Sequence, residues 1–119
     1  MITGVHGLIY SKHPDQIRAF FKDVLGLDSV DAGGGWPIFA LPPAELAIHP
    51  SDGDANTELY LMCDDIAAAV EELEAKGVTT NGPVRDLDWG RLVMLEVAED
   101  LQIGMYEPKH PSPLRRRQM

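Results

Sequence analysis

"TGVHGLIYSKHPDQIRAFFKDVLG" fills residues 3–26, and "TELYLMCDDIAAAVEELEAKG" fills residues 57–77. Each stretch reads as a short apolar strand, then a helix, then a glycine. Gly26 and Gly77 lie 51 residues apart. His6 precedes Gly26 by 20 residues and Glu58 precedes Gly77 by 19, so both opening strands carry a potential metal ligand at nearly the same place. Self-similarity at a fixed spacing marks a duplicated structural unit. A duplicated half-domain that brings equivalent side chains together points to a site built between the halves.

Working outward, the first helix is marked by Ile17, Phe20, Phe21, Val24 and Leu25, one apolar stripe at helical spacing. Pro14 suits its first turn and Gly26 a left-handed end. Ile66, Ala69, Val70 and Leu73 repeat the stripe in the second helix. Asp64 or Asp65 can cap that helix, and Gly77 stops it. Strands are expected at 27–31, 37–41 and 45–49 in the first half. In the second half they are expected at 78–80 running on irregularly to 87, at 91–97 and at 101–106. The polar stretch "PSDGDAN" at 50–56 separates the halves.

The expected class is therefore α+β, with two βαβββ modules spanning 3–49 and 57–106 and a tail at 107–119, all in one domain over 1–119. One helix per module can cover only one face of a four-stranded sheet, so the other faces should form a curved trough where a ligand would sit.

Composition narrows the partners. The 119 residues carry a net charge of −9, while positions 107–119 alone carry +3, so the body is strongly acidic. Such a body repels phosphate backbones, and nucleic acid is not an expected partner. The "LRRRQM" end reads as a solvated terminus. Cys63 is the one cysteine, which fits a reducing cytoplasm. No secretory leader is visible, and no apolar run approaches the roughly 20 residues that span a bilayer.

On "VHGLIYSKHPDQIRAFFKDVLGL", "ELAIHPSDG", "DDIAAAVEELEAKGV" and "DWGRLVMLEVAEDLQIGMYEP", the chain resembles the vicinal oxygen chelate superfamily. That superfamily includes glyoxalase I, extradiol dioxygenases, fosfomycin-resistance enzymes and bleomycin-binding proteins. The resemblance covers residues 3–109 and implies two βαβββ modules, commonly in a homodimer. It also implies a divalent metal (Fe, Mn, Ni or Zn) held by side chains from the first strand of each module and from the last strands. His6 and Glu58 match by type. The last-strand position falls on Gly104, which has no side chain, and Glu107 alternates to the opposite face. His49 could compensate. It shares a face with Glu45 and Ala47, and two histidines with one carboxylate suit an open metal site.

Two functions follow. In the first, a metal on His6, His49 and Glu58 binds adjacent substrate oxygens as a Lewis acid, for a lyase, isomerase or dioxygenase reaction. Glu58 and Tyr106 are then the candidate catalytic residues. In the second, a metal-free protein sequesters an aromatic or cationic compound. Gly104 enlarges the trough, Tyr60 and Tyr106 supply rings, and the acidic body attracts cations. Glu45, Tyr60, Trp36 and Trp89 are the candidate pocket residues in either case. "AGGGWP" at 32–37 lacks the lysine of a phosphate loop and reads as a hairpin. Cys63 reads as a packed thiol, and His13 and His110, each before a proline, as surface residues.

Overall fold

The computed structural model describes residues 6–50, 52–54 and 56–114. Helix α1 runs over Pro14–Ala19 and widens into a π-helical turn over Phe20–Val24. A continuous α-helix is the simpler expectation from the stripe. The wider turn, closed by Leu25 N–H donating to Phe20 O at 3.0 Å, turns the adjacent Phe20 and Phe21 both inward, each 5% exposed. Gly26 ends the helix at φ 69° and Gly77 ends α2 (Ile66–Ala75) at φ 89°, a region that L side chains avoid. Asp65 is the N-cap of α2, its Oδ1 accepting from Ala68 N–H at 3.2 Å. Glu107 adds a second acceptor there, taking Ile66 N–H at 3.0 Å from across the fold.

The second module is a complete βαβββ unit. Strands β3 (Tyr60–Met62), β4 (Thr79–Leu87), β5 (Gly90–Ala98) and β6 (Leu101–Pro108) form one sheet in the order β3-β6-β5-β4. β3 runs parallel to β6, as a strand–helix crossover requires, and the other pairs are antiparallel. Alternation sorts the side chains. Val93, Leu95, Val97, Ile103 and Met105 join Ile17, Phe20, Phe21, Ile66 and Leu73 in one buried core beneath the helices. Leu92, Gly104, Tyr106 and Tyr60 take the opposite, open face, where register pairs Tyr60 with Gly104 and Tyr106 with Leu92.

The first module departs from the expected four strands. Among its described residues only the hairpin of β1 (Ser29–Asp31) and β2 (Pro37–Phe39) carries a ladder, with register Ser29↔Phe39. Residues 6–10 and 40–50 join no strand. Pro42, Pro43 and Pro50 remove ladder donors, and among the described residues no strand pairs with these segments. Their apolar side chains lie open: Leu8, Tyr10, Leu46 and Ile48 are 68%, 87%, 84% and 88% exposed. The modules are tied together by Ser11 Oγ donating to Asp100 Oδ1 at 2.7 Å and by Lys76 Nζ donating to Val24 O at 3.0 Å.

Candidate functional site

The open face of the second module carries a cluster of rings. Tyr60 reaches in from β3, Tyr106 from β6, and Trp89 from the β4–β5 turn. Ring centroids are 6.1 Å apart for Tyr60–Tyr106, 6.4 Å for Tyr60–Trp89 and 5.2 Å for Trp89–Tyr106, with interplanar angles of 88°, 80° and 72°. Edge-to-face pairs of this kind add about 0.5–1.5 kcal/mol each beyond burial. Tyr106 is buried, whereas Tyr60 and Trp89 remain 39% and 41% exposed and present ring surface to solvent.

Gly104 is decisive for the shape of this face. The sequence suggests that its missing side chain enlarges the trough. Instead the Tyr60 ring lies directly over it: a Cβ on Gly104 would fall 2.5 Å from Tyr60 Cε1 and 3.3 Å from Leu92 Cδ1. The space left by the absent side chain is filled by an aromatic ring.

Two carboxylates hold the tyrosine hydroxyls. Tyr60 Oη donates to Glu58 Oε2 at 2.7 Å, and Tyr106 Oη donates to Glu45 Oε1 at 3.1 Å. The Glu58 hydrogen bond raises the Tyr60 phenol above its ordinary range, helped by burial and the carboxylate charge. Burial, then the Glu45 hydrogen bond and charge, push Tyr106 up to about 12. The sign for stability follows. Tyr106 stabilises the fold fully below the unfolded value of about 10, and this contribution is lost as pH rises through 12. An absorbance titration should therefore find, beside a raised Tyr60, the Tyr106 phenol still protonated above the ordinary tyrosine range. Glu45→Gln should lower its midpoint, and an unchanged midpoint would detach Tyr106 from Glu45.

The strand end after β6 returns across Glu45. His110 Nε2 lies 3.0 Å from Tyr106 Oη and 3.5 Å from Glu45 Oε1, and Ser112 Oγ donates to Glu45 Oε2 at 2.5 Å. His110 is thus half-buried in the site, not a surface residue as its proline context suggests, and Ser112 was not anticipated at all. The alternation of β6 ends at Pro108, followed by a bend at His110 and a helical turn at 113–114, so no period-two signal marks either residue.

The remaining candidates lie elsewhere. His6 and His49 are exposed, in segments outside any ladder. Trp36 joins none of these rings among the described residues; it lies under Arg18, whose Cζ is 5.4 Å from its centroid. Cys63 is a half-buried thiol that burial, with Glu107, Asp64 and Asp65 nearby, pushes up to about 11, so it stays protonated and a poor nucleophile. His13 pairs with Glu99 at 3.4 Å. Among the described residues, no three His, Cys, Asp or Glu side chains group as a metal centre needs, so His6, His49 and Glu58 are not gathered into one.

Architecture is shared with solved structures. TnmS3, an antibiotic binding protein from Streptomyces sp. CB03234, superposes with a TM-score of 0.63 at 23% identity, over 91% of this chain and 98% of that one. A member of the glyoxalase/bleomycin resistance protein/dioxygenase superfamily from Sphaerobacter thermophilus DSM 20745 gives 0.62 at 20% identity, over 89% and 98%. The chain has the glyoxalase/bleomycin resistance protein/dioxygenase fold. A lactoylglutathione lyase from Agrobacterium tumefaciens has it too, with a TM-score of 0.59 at 18% identity over 88% of this chain and 92% of that one. No family sequence model matches this chain, and no curated protein does. One fold thus carries both an antibiotic binder and a lyase, and function must be argued from the site. No described helix is long and apolar enough to cross a membrane.

Proposed function

We propose that this protein binds a planar aromatic small molecule without a metal, on the ring surface of Tyr60 and Trp89 backed by Tyr106. The observation that carries this reading is the Tyr60 ring over Gly104. The last-strand position that would carry a metal-ligating carboxylate has no side chain, and its space is taken by an aromatic ring. The half-exposed Tyr60 and Trp89 rings, with the Tyr60 hydroxyl fixed by Glu58 and the buried Tyr106 behind them fixed by Glu45, form a preorganised stacking surface. The antibiotic-binding relative supports the same reading. A divalent iron, manganese, nickel or zinc on His6, His49 and Glu58 does not fit the donors as the described residues place them.

The working form is a homodimer in a reducing cytoplasm. A two-strand hairpin is marginal alone, and open backbone with exposed Leu8, Tyr10, Leu46 and Ile48 calls for a further strand, supplied by a second copy.

The test uses Trp36→Phe protein, in which Trp89 is the remaining tryptophan. Saturable quenching by 2-naphthol or quinoline, lost in Tyr60→Ala, supports the proposal; quenching that never saturates, or that survives Tyr60→Ala, overturns it. Near-stoichiometric metal in chelator-free protein, lost with His6→Ala, would restore the chelate reading. Light scattering at a single chain mass would remove the dimer.

A further inference from the structure

At the β4 side of the open face, Arg85 is a cation without a counterion. Register pairs Arg85 with Leu92 on β5, and Leu92 with Tyr106 on β6. Directly paired residues of antiparallel strands share a face, so Arg85 belongs to the face that carries Tyr60 and Tyr106. The neighbouring charges alternate to the other side. Asp86 pairs with Arg91 in register, its Oδ1 lies 3.7 Å from Arg91 Nε, and the same oxygen accepts from Lys109 Nζ. Two cations thus share that one carboxylate on the helix-bearing face. The Arg85 guanidinium has no ion pair or hydrogen bond among the described residues. The chain holds 19 acidic residues against 10 basic ones, yet none of the described acids is placed on this cation.

The free cation borders the rings. Trp89 follows Arg85 by four residues, in the turn that joins β4 to β5, and its ring packs 5.2 Å from that of Tyr106. Strands lie roughly 4.8 Å apart, so the Arg85 and Tyr106 backbones are about 10 Å from one another, with Leu92 between them. An arginine can lay its apolar stem over such a leucine and keep its head at the rim of the rings. Its planar fork of N–H donors matches a carboxylate. The Tyr60 end has the opposite sign, because Tyr60 Oη donates to the Glu58 carboxylate at 2.7 Å. The face is therefore polar in one direction, negative by Glu58 and positive by Arg85.

We propose that the ligand of the stacking surface is an aromatic acid, its planar body on Tyr60 and Trp89 and its carboxylate on Arg85. This rests on the stacking reading above and adds the chemical class of the ligand. The acid end points toward β4, since Glu58 repels it from the Tyr60 hydroxyl. Arg85 thereby sets specificity and orientation, and the rings supply the contact area.

2-Naphthoate and 2-naphthamide test this directly, because they share a planar body and differ in charge. Calorimetry on the whole protein at low salt should find naphthoate about fivefold tighter, the size of one exposed charge pair. Salt at about 1 M, where the screening length falls to about 3 Å, should shrink the difference. Arg85→Gln should erase it, whereas Arg91→Gln, which removes the same charge from the opposite face, should keep it. Equal affinities in the wild-type protein overturn the aromatic-acid assignment, and so does a preference that survives Arg85→Gln or vanishes in Arg91→Gln. Naphthamide binding that saturates and is lost in Tyr60→Ala keeps the stacking surface even when the acid preference fails. If neither probe saturates, or both still bind after Tyr60→Ala, the stacking surface falls and the assignment falls with it.

Discussion

Leu95→Ala is expected to cost about 2–5 kcal/mol, the range for removing a fully buried leucine side chain. Leu95 is 0% exposed at the centre of β5, paired with Ile103 on β6 and Thr80 on β4. Its side chain lies in the core that joins both helices to the sheet, so truncation leaves a cavity that several elements would have to collapse to fill. Against a total stability of about 5–15 kcal/mol for a domain, this is a large fraction. Urea unfolding measures it: the midpoint should fall with little change in slope. Leu46→Ala, at an 84% exposed position, is the control and should fall within about 0.5 kcal/mol of wild type if the chain is monomeric. A larger loss there would instead report burial of residue 46 against a second copy.

Gly104→Ala should be the most disruptive change on the open face. The added methyl would overlap the Tyr60 ring and press on Leu92, and the backbone there is held in two ladders, parallel to β3 and antiparallel to β5. Tyr60 must therefore swing away, breaking its edge-to-face contacts with Trp89 and Tyr106 and its hydrogen bond to Glu58. Overpacking of this kind costs about 1–3 kcal/mol. Near-ultraviolet circular dichroism should lose part of its aromatic signal. The sharper test is the double mutant: Gly104→Ala with Tyr60→Ala should be less destabilised than the two single changes added together, a coupling of about 1 kcal/mol or more. Additive effects would mean that the ring does not occupy the glycine's space.

What could be read from the sequence was local. The apolar stripes and glycine stops located both helices, and alternation along the last strand put Gly104 and Tyr106 on one face. Alternation also set Glu107 apart from the open face, where it turns out to bind the α2 amino end. What escaped was set by distance along the chain. Ser112 meets Glu45 across 67 residues, and no local pattern announces such a contact. The filling of Gly104 depends on the register of a parallel pair whose strands are joined by a helix and two further strands. The unpaired first module escaped for another reason: propensity can name a strand but cannot supply its neighbour.

The shared core has a consequence for how the protein is made. Ile17, Phe20 and Phe21 pack on Val93, Leu95, Val97 and Ile103, so the first helix has no floor until the last strands exist. Leu95 follows Ile17 by 78 residues. At about 5–20 residues per second of synthesis, that interval lasts about 4–16 s. Through it, a stripe with two adjacent phenylalanines waits outside the ribosome with partial cover only, such as Phe39 against Phe21. This geometry leaves the nascent N-terminal half prone to aggregate, and ties the yield of folded protein to the speed at which the second half is translated.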